Sequence, residues 1–356
     1  MPSLKEIKGR INSISSTLAI TSAMKMVAAA KLQKAQMAIQ NMLPYERRLY
    51  SMLVDLMGAM NISAAASEDG SVRGSGSAER GFDQSGDLLS LSNRHDLAGM
   101  DGAYSLMAQR EVRKVAIVAF ASNSSLCGAF NSNAIREATA VINEYRASGL
   151  RDSDIVVYSV GRKMAEAMRK LGFPSPADFT KMSDSPSYEA ASALAQELLD
   201  GFVSGRFDKV ELVYNHYKST SSQPTTRQTY LPLSLADATA DIQVGKITDS
   251  VSEPYADKVA EPVVRQNSPT TETPDLIVEP SKEELIVTLL PKVVRLRVFT
   301  TLLDSTAAEQ AARTVAMQLA TDNGNDLLQE LTLEYNKGRQ QKITSEILDI
   351  VGGSMQ

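Results

Sequence analysis

Two stretches at opposite ends of the chain, Ser3 to about Met60 and Lys292 to Val351, are helix-forming almost without interruption. At 1.5 Å per residue they make rods of roughly 85 and 90 Å, longer than an ordinary domain is wide. The first runs towards the middle of the chain and the second runs away from it. Paired, they must lie antiparallel, with both chain ends at a tip far from whatever lies between. The first rod opens on Ser3-Leu4-Lys5-Glu6, a capping box that satisfies orphan backbone N–H groups. Leu4, Ile7, Ile11, Ile14 and Leu18 follow at alternating spacings of three and four, the seam of a coiled coil. Continuing that register lands on Thr21 and Lys25, which predicts that the seam slips there. Pro44 predicts a kink rather than an end. The box recurs at Ser281–Glu284, Pro291 predicts a bend, and Gly352-Gly353 offers a C-terminal cap. Val298, Leu302, Ser305, Ala308, Ala312, Val315 and Leu319 form one stripe, and Ile343, Ile347 and Ile350 repeat the step.

Between the rods the pattern changes. Lys114–Ser122, Asp154–Gly161, Asp208–Tyr217 and Thr225–Leu233 are short apolar or β-branched runs that predict strands. Helical stretches at about 133–147, 162–171 and 187–204 alternate with them. That order implies a mostly parallel sheet with covering helices. The expected divisions are therefore helix 1–60, flexible insert 61–110, α/β domain 111–235, acidic insert 236–280 and helix 281–356. The first insert collapses into Ser, Gly, Ala and Asp, and the second holds five of the thirteen prolines; neither composition can offset chain entropy by burial.

Composition excludes several function classes. A net charge of -5 does not suit a nucleic-acid binder, and no uncharged apolar run reaches the roughly 18–20 residues of a membrane span. With no signal-peptide pattern either, the expectation is a soluble chain held at any membrane by other subunits. One cysteine, Cys127, rules out an intrachain disulfide and points to a reducing compartment. The two histidines, His95 and His216, have no cluster at metal-ligand spacing, so no metal is expected. Cys127 has no identifiable partner base, His216 reads as a strand residue, and neither G-x-G-x-x-G nor a P-loop occurs. The α/β segment has a nucleotide-binding, Rossmann-like architecture without its phosphate cradle, and no cofactor is expected.

"ITSAMKMVAAAKLQKAQ", Ile20–Gln36, is apolar on nearly every face, lacks any acid and carries Lys25, Lys31 and Lys34. A helix on a globular surface shows one apolar stripe only. Solvated lysines on an ordinary coiled coil would explain the charges but not the all-round apolarity. Lys stems can lie along apolar walls while their heads reach acids on an enclosing partner. A thin basic rod, slim through Ala28–Ala30 and Ala307, Ala308, Ala311 and Ala312, fits inside a ring. Two other readings stay open at this point: a static coiled-coil scaffold, and a small-molecule enzyme built on the α/β domain.

That stretch, together with Leu126–Asn133 ("LCGAFNSN") and Glu309–Gly353, closely resembles the gamma subunit of the rotary F-type ATP synthase, in a bacterial form with two inserts. The resemblance implies a non-catalytic shaft inside a hexameric ring of alpha and beta subunits, coupling proton flow to ATP synthesis at beta. It implies partners in alpha, beta, epsilon and the membrane c-ring, and a peripheral place on the cytoplasmic face of the bacterial inner membrane. By similarity Met24, Lys25, Arg339, Gln340 and Thr344 touch beta, and Glu279 meets the membrane ring. Asn123-Ser124-Ser125 stands where the family usually has acid-Arg-Gly, and Lys25 where an acid is common. The second insert lies about where chloroplast relatives carry a cysteine pair; none is present here, which excludes a thiol switch.

Overall fold

The computed structural model describes residues 3–68, 106–233, 279 and 281–354. Most of both inserts, and His95, lie outside the described residues. Helix α1 (Leu4–Glu68) runs past Met60 into the stretch read as insert, and helix α6 (Lys282–Ser354) closes the chain. Both stay helical through their prolines, Pro44 and Pro291. At 65 and 73 residues they measure roughly 98 and 110 Å. Each starts on its expected cap: Ser3 Oγ accepts from the Glu6 N–H at 3.2 Å, and Ser281 Oγ from the Glu284 N–H at 3.1 Å.

The helices pack antiparallel. Leu4 lies on Gly338, Leu18 on Gly324, and Thr321 Oγ1 donates to Thr21 Oγ1 at 3.0 Å. The intervals Leu4–Leu18 and Gly324–Gly338 are equal, two heptads on each helix. The expected slip at Thr21 and Lys25 does not occur. Low exposure continues in unbroken steps through Thr21, Lys25, Ala28, Leu32 and Ala35. Where the backbones approach closely, small residues and a hydroxyl pair fill the seam, so apolar side chains no longer mark it. Ala35 and Leu32 pack on Ala307 and Ala311. The stripe read on α6 turns towards the α/β unit, where Ala308 and Ala312 pack with Cys127 and Phe130, and only its last member, Leu319, is exposed.

The α/β unit is a four-stranded mixed sheet in the order β2-β1-β3-β4. Strands β1 (Val115–Phe120), β2 (Ile155–Val160) and β3 (Lys209–Asn215) are parallel, and β4 (Thr225–Leu231) is antiparallel to β3. Helices α2 (Phe130–Ala147), α3 (Arg162–Lys170), α4 (Thr180–Asp184) and α5 (Tyr188–Val203) connect them. The short α4 is an element the sequence pattern missed. Central β1 is buried at every residue, as a strand covered on both faces must be. Ile117 and Ala119 pack under α2 and α3 with Ala138, Ile142 and Met164. Val118 and Phe120 face a larger cluster that holds Leu194 and Leu198 of α5, Leu53 of α1 and Val294 and Val298 of α6. The lower half of the helix pair is thus one layer of the head, and a single core joins the two.

The outer edge of the sheet buries a charge. Glu211 accepts from Arg227 Nε at 2.7 Å, Lys209 Nζ at 2.7 Å and the Tyr145 hydroxyl at 2.7 Å. Burial alone would raise its carboxyl, but these bonds outweigh burial and hold it below the usual 4.5. Arg227 also pairs with Glu144 of α2, tying β4 to its cover.

Candidate functional site

The head grips the helix pair as far as Gln36 on α1 and Ala316 on α6. From Ala316 to Ser354 α6 projects by about 57 Å, paired with α1 as far as Gly338. Along this half each helix covers one face of the other and leaves the rest bare. Ile20, Met26 and Val27 are 60%, 65% and 56% exposed, and Leu319, Leu333 and Leu348 are 58%, 65% and 64% exposed. Apolar surface on this scale marks a site of association. Lys31 and Lys34 stand exposed beside it, with Lys25 half-buried.

The residues that the resemblance implies touch beta fall into two bands on this rod. Met24 and Lys25 are half-buried, Lys25 in the seam and Met24 beside it, opposite the Met317–Gly324 stretch of α6. Arg339, Gln340 and Thr344 are exposed just beyond the Leu4–Gly338 contact, where α6 runs on past the start of α1. The Thr344 hydroxyl donates to the Gln340 carbonyl at 2.9 Å, leaving the Gln340 side chain clear of it. Going by the register, the bands are roughly 33 Å apart along the axis. Ile343, Ile347 and Ile350 share the overhang and are exposed. Glu279 is exposed immediately before the Ser281 cap, at the opposite end of α6.

The head's own crevice is filled. Open α/β sheets hold ligands outside the carboxyl ends of their strands. Here α6 lies across that edge. Arg313, with a buried side chain, donates to Ser124 Oγ at 2.7 Å and pairs with Glu309 at 2.8 Å. Gly128 sits so that an added β-carbon would reach Ala316 Cβ at 3.8 Å. Asn123, in an uncharged loop, accepts from the Arg162 N–H at 2.7 Å and donates to the Thr180 carbonyl at 2.7 Å. Leu126 in the same loop adopts φ 68° and is exposed. Cys127 is buried and accepts from Asn131 Nδ2 at 3.1 Å, a packed thiol in a bonded turn.

Sequence reasoning singled out neither Glu309 nor Arg313 individually. Their spacing of four on a helix was the available signal. Burial pushes the Glu309 carboxyl up, Arg313 opposes the shift, Asp184 adds to it and Lys31 works against it. Among the described residues no group of His, Cys, Asp and Glu could hold a metal ion, and no helix is long and apolar enough to cross a membrane.

The ATP synthase family model matches residues 3–355. The ATP synthase gamma chain of Phocaeicola vulgatus is 47% identical over 355 residues and that of Bacteroides thetaiotaomicron 44% over 356, each match covering 100% of both chains. In fold, a chain of the Euglena gracilis mitochondrial ATP synthase (the OSCP/F1/c-ring structure in rotational state 3) is similar with a TM-score of 0.53 at 18% identity. That match covers 99% of this chain and 93% of the other.

Proposed function

This chain belongs to the ATP synthase gamma-chain family, and from that premise we propose how its geometry serves as the central rotor shaft of the complex. The gamma chain is non-catalytic; the catalytic sites lie on beta. The observation that carries the reading is the projecting half of the helix pair, thin, basic along α1, and bare of cover over apolar side chains that a free monomer would bury. A ring of alpha and beta subunits supplies that cover. Epsilon and the membrane c-ring engage the opposite end, where Glu279 precedes α6. The equal heptad intervals support calling the pair an antiparallel coiled coil. The three parallel strands with helices on both faces support a Rossmann-like head. Helices 1–60 and 281–356, with α1 carried on to Glu68, form the shaft, 111–235 the head, and 61–110 and 236–280 the inserts.

Torque transmission sets two physical demands. A shaft must resist twist, which two wound helices do better than one. It must also turn past its housing, so tight pairwise bonds to the ring would act as brakes. Exposed ion pairs are individually weak, and dispersed Lys and Arg facing acidic loops give attraction whose register can change. Met24 and Lys25 form one band of contact with beta, and Arg339, Gln340 and Thr344 the other. Proton flow turns the c-ring and head together, and the unequal faces of the two bands drive the beta sites through their states. The complex sits peripherally at the cytoplasmic face of the bacterial inner membrane, held by its membrane subunits.

The test is rotation. Ser148 is exposed at the end of α2, and a Ser148→Cys chain assembled with its ring can carry a bead. ATP should drive unidirectional stepping of that bead. Hydrolysis at full rate with a stationary bead would overturn the reading, and would favour the static scaffold.

A further inference from the structure

The rotor reading leaves open how torque passes between a head and a shaft whose shared core is mostly apolar, crossed elsewhere by single polar contacts at Arg313–Ser124, Arg295–Gln196 and Tyr230–Val294. Apolar burial is non-directional and tolerates small rotations. A directional lock is present where β3 ends. His216 and Tyr217 follow Asn215 directly, and both meet one carboxylate of α6. Asp304 Oδ2 shares a hydrogen bond with His216 Nδ1 at 2.6 Å, and Oδ1 accepts from the Tyr217 backbone N–H at 2.9 Å. The Tyr217 hydroxyl accepts from Gln36 Nε2 of α1 at 2.6 Å. The ring between them packs against the cluster of Leu32 and Ala35 of α1 with Ala307 and Ala311 of α6, and also against that of Ala308 with Cys127 and Phe130.

We propose that Tyr217 is a key set in the groove between the two helices, and that Asp304 locks it there, fixing the angle of the shaft relative to the head. Two bonds from adjacent residues onto one carboxylate define an orientation as well as a distance, which a single contact does not. The key engages both helices at once, so twisting either one against the head must break a bond rather than slide a surface. The alanines at Ala307 and Ala308 leave room for the ring; larger residues would close the groove. The hairpin between β3 and β4 carries the key, with the His216 N–H bonded to the Pro224 carbonyl at 2.8 Å and Thr225 Oγ1 to Asn215 Oδ1 at 2.7 Å, so the base is itself braced.

This inference rests on the rotor reading, and its test separates the two. With the bead on Ser148→Cys and the ring fixed, angular fluctuation during the pause between steps reports torsional stiffness. Asp304→Ala combined with Tyr217→Phe should raise the angular variance about twofold, while unloaded ATP hydrolysis stays at the wild-type rate. Asp304→Asn retains an acceptor for Tyr217 and a donor for neutral His216, and should restore the wild-type variance. If the alanine variant fails to assemble, Tyr217→Phe with Gln36→Ala carries the same expectation at about half the effect. Stepping with unchanged variance in these variants would overturn the key and leave the rotor standing. A wild-type bead that never turns would remove the rotor reading itself.

Discussion

Leu18 seats its side chain over Gly324: a β-carbon built at Gly324 would stand 2.7 Å from Leu18 Cδ2 and 3.2 Å from its Cγ. Glycine is a poor helix former, about 1 kcal/mol worse than alanine, so its place mid-helix reflects packing. Gly324→Leu should therefore lower chain stability by about 1–3 kcal/mol, the usual range for overpacking. Leu18→Ala should recover most of that loss in the double variant, because the two changes share one space. Urea unfolding followed by helix signal decides it, and strictly additive effects would show that the two residues do not meet as described.

Glu211 and Glu309 are both buried carboxylates, yet they should respond to pH with opposite sign. Glu211 is held below 4.5 by Arg227, Lys209 and Tyr145 against the pull of burial. Its stabilisation is complete above the unfolded value and is lost as pH falls through the lower native one. Glu211→Gln should match wild type in strong acid and lose about 3 kcal/mol at pH 7, the cost of leaving its cations half-paired. A deficit that stayed constant across that acid range would contradict the assignment.

Glu309 is raised above 4.5, chiefly by burial, with Arg313 too weak a counterweight. Here the native state binds the proton more tightly than the unfolded chain does. Stability contributed by the neutral form is present below 4.5 and declines as pH climbs through the raised native value. Glu309→Gln mimics that neutral form. It should equal wild type near pH 4 and be the more stable chain at pH 7, as read from urea midpoints. A variant less stable than wild type at pH 7 would mean that the Arg313 pair outweighs burial.

Regular elements were legible in the sequence because burial imposes a period. The four strand runs and the three longer helices of the head fall where alternation and apolar run length placed them. The seam could be followed to Leu18 and then no further, since Thr21, Lys25 and Ala28 carry no hydrophobic mark. Close approach of two backbones selects small residues, and smallness looks the same in a seam as on a surface. On α6 the apolar stripe through Val298 and Leu302 was visible for a different reason: it meets the head, where the gap is wide enough for large side chains. Tyr217, Asp304 and Gln36 were not legible at all. A polar lock built from three segments leaves no periodic trace, and only the fold brings its members together. The bands at Met24–Lys25 and Arg339–Thr344 came from resemblance, and their exposure differs in a way the resemblance did not specify.

Arg339 and Gln340 offer the sharpest separation of shaft stability from shaft function. Both are exposed beyond the Leu4–Gly338 contact, so truncating them should change the stability of the chain by no more than about 0.5 kcal/mol. On the proposed reading the pair faces beta, where the bonds lost by the double variant together cost about 1–1.5 kcal/mol. If those bonds form only as the shaft passes its transition between dwells, that cost enters the barrier directly. It corresponds to a roughly five- to tenfold slower hydrolysis. Arg339→Ala with Gln340→Ala should thus yield a complex of normal subunit composition and unaltered melting, turning over several times more slowly. Arg339→Lys keeps the charge but not the planar fork, and should fall between the two. Wild-type turnover in the double alanine variant, with assembly intact, would remove these residues from the contact with beta and leave the apolar overhang at Ile343, Ile347 and Ile350 to carry it.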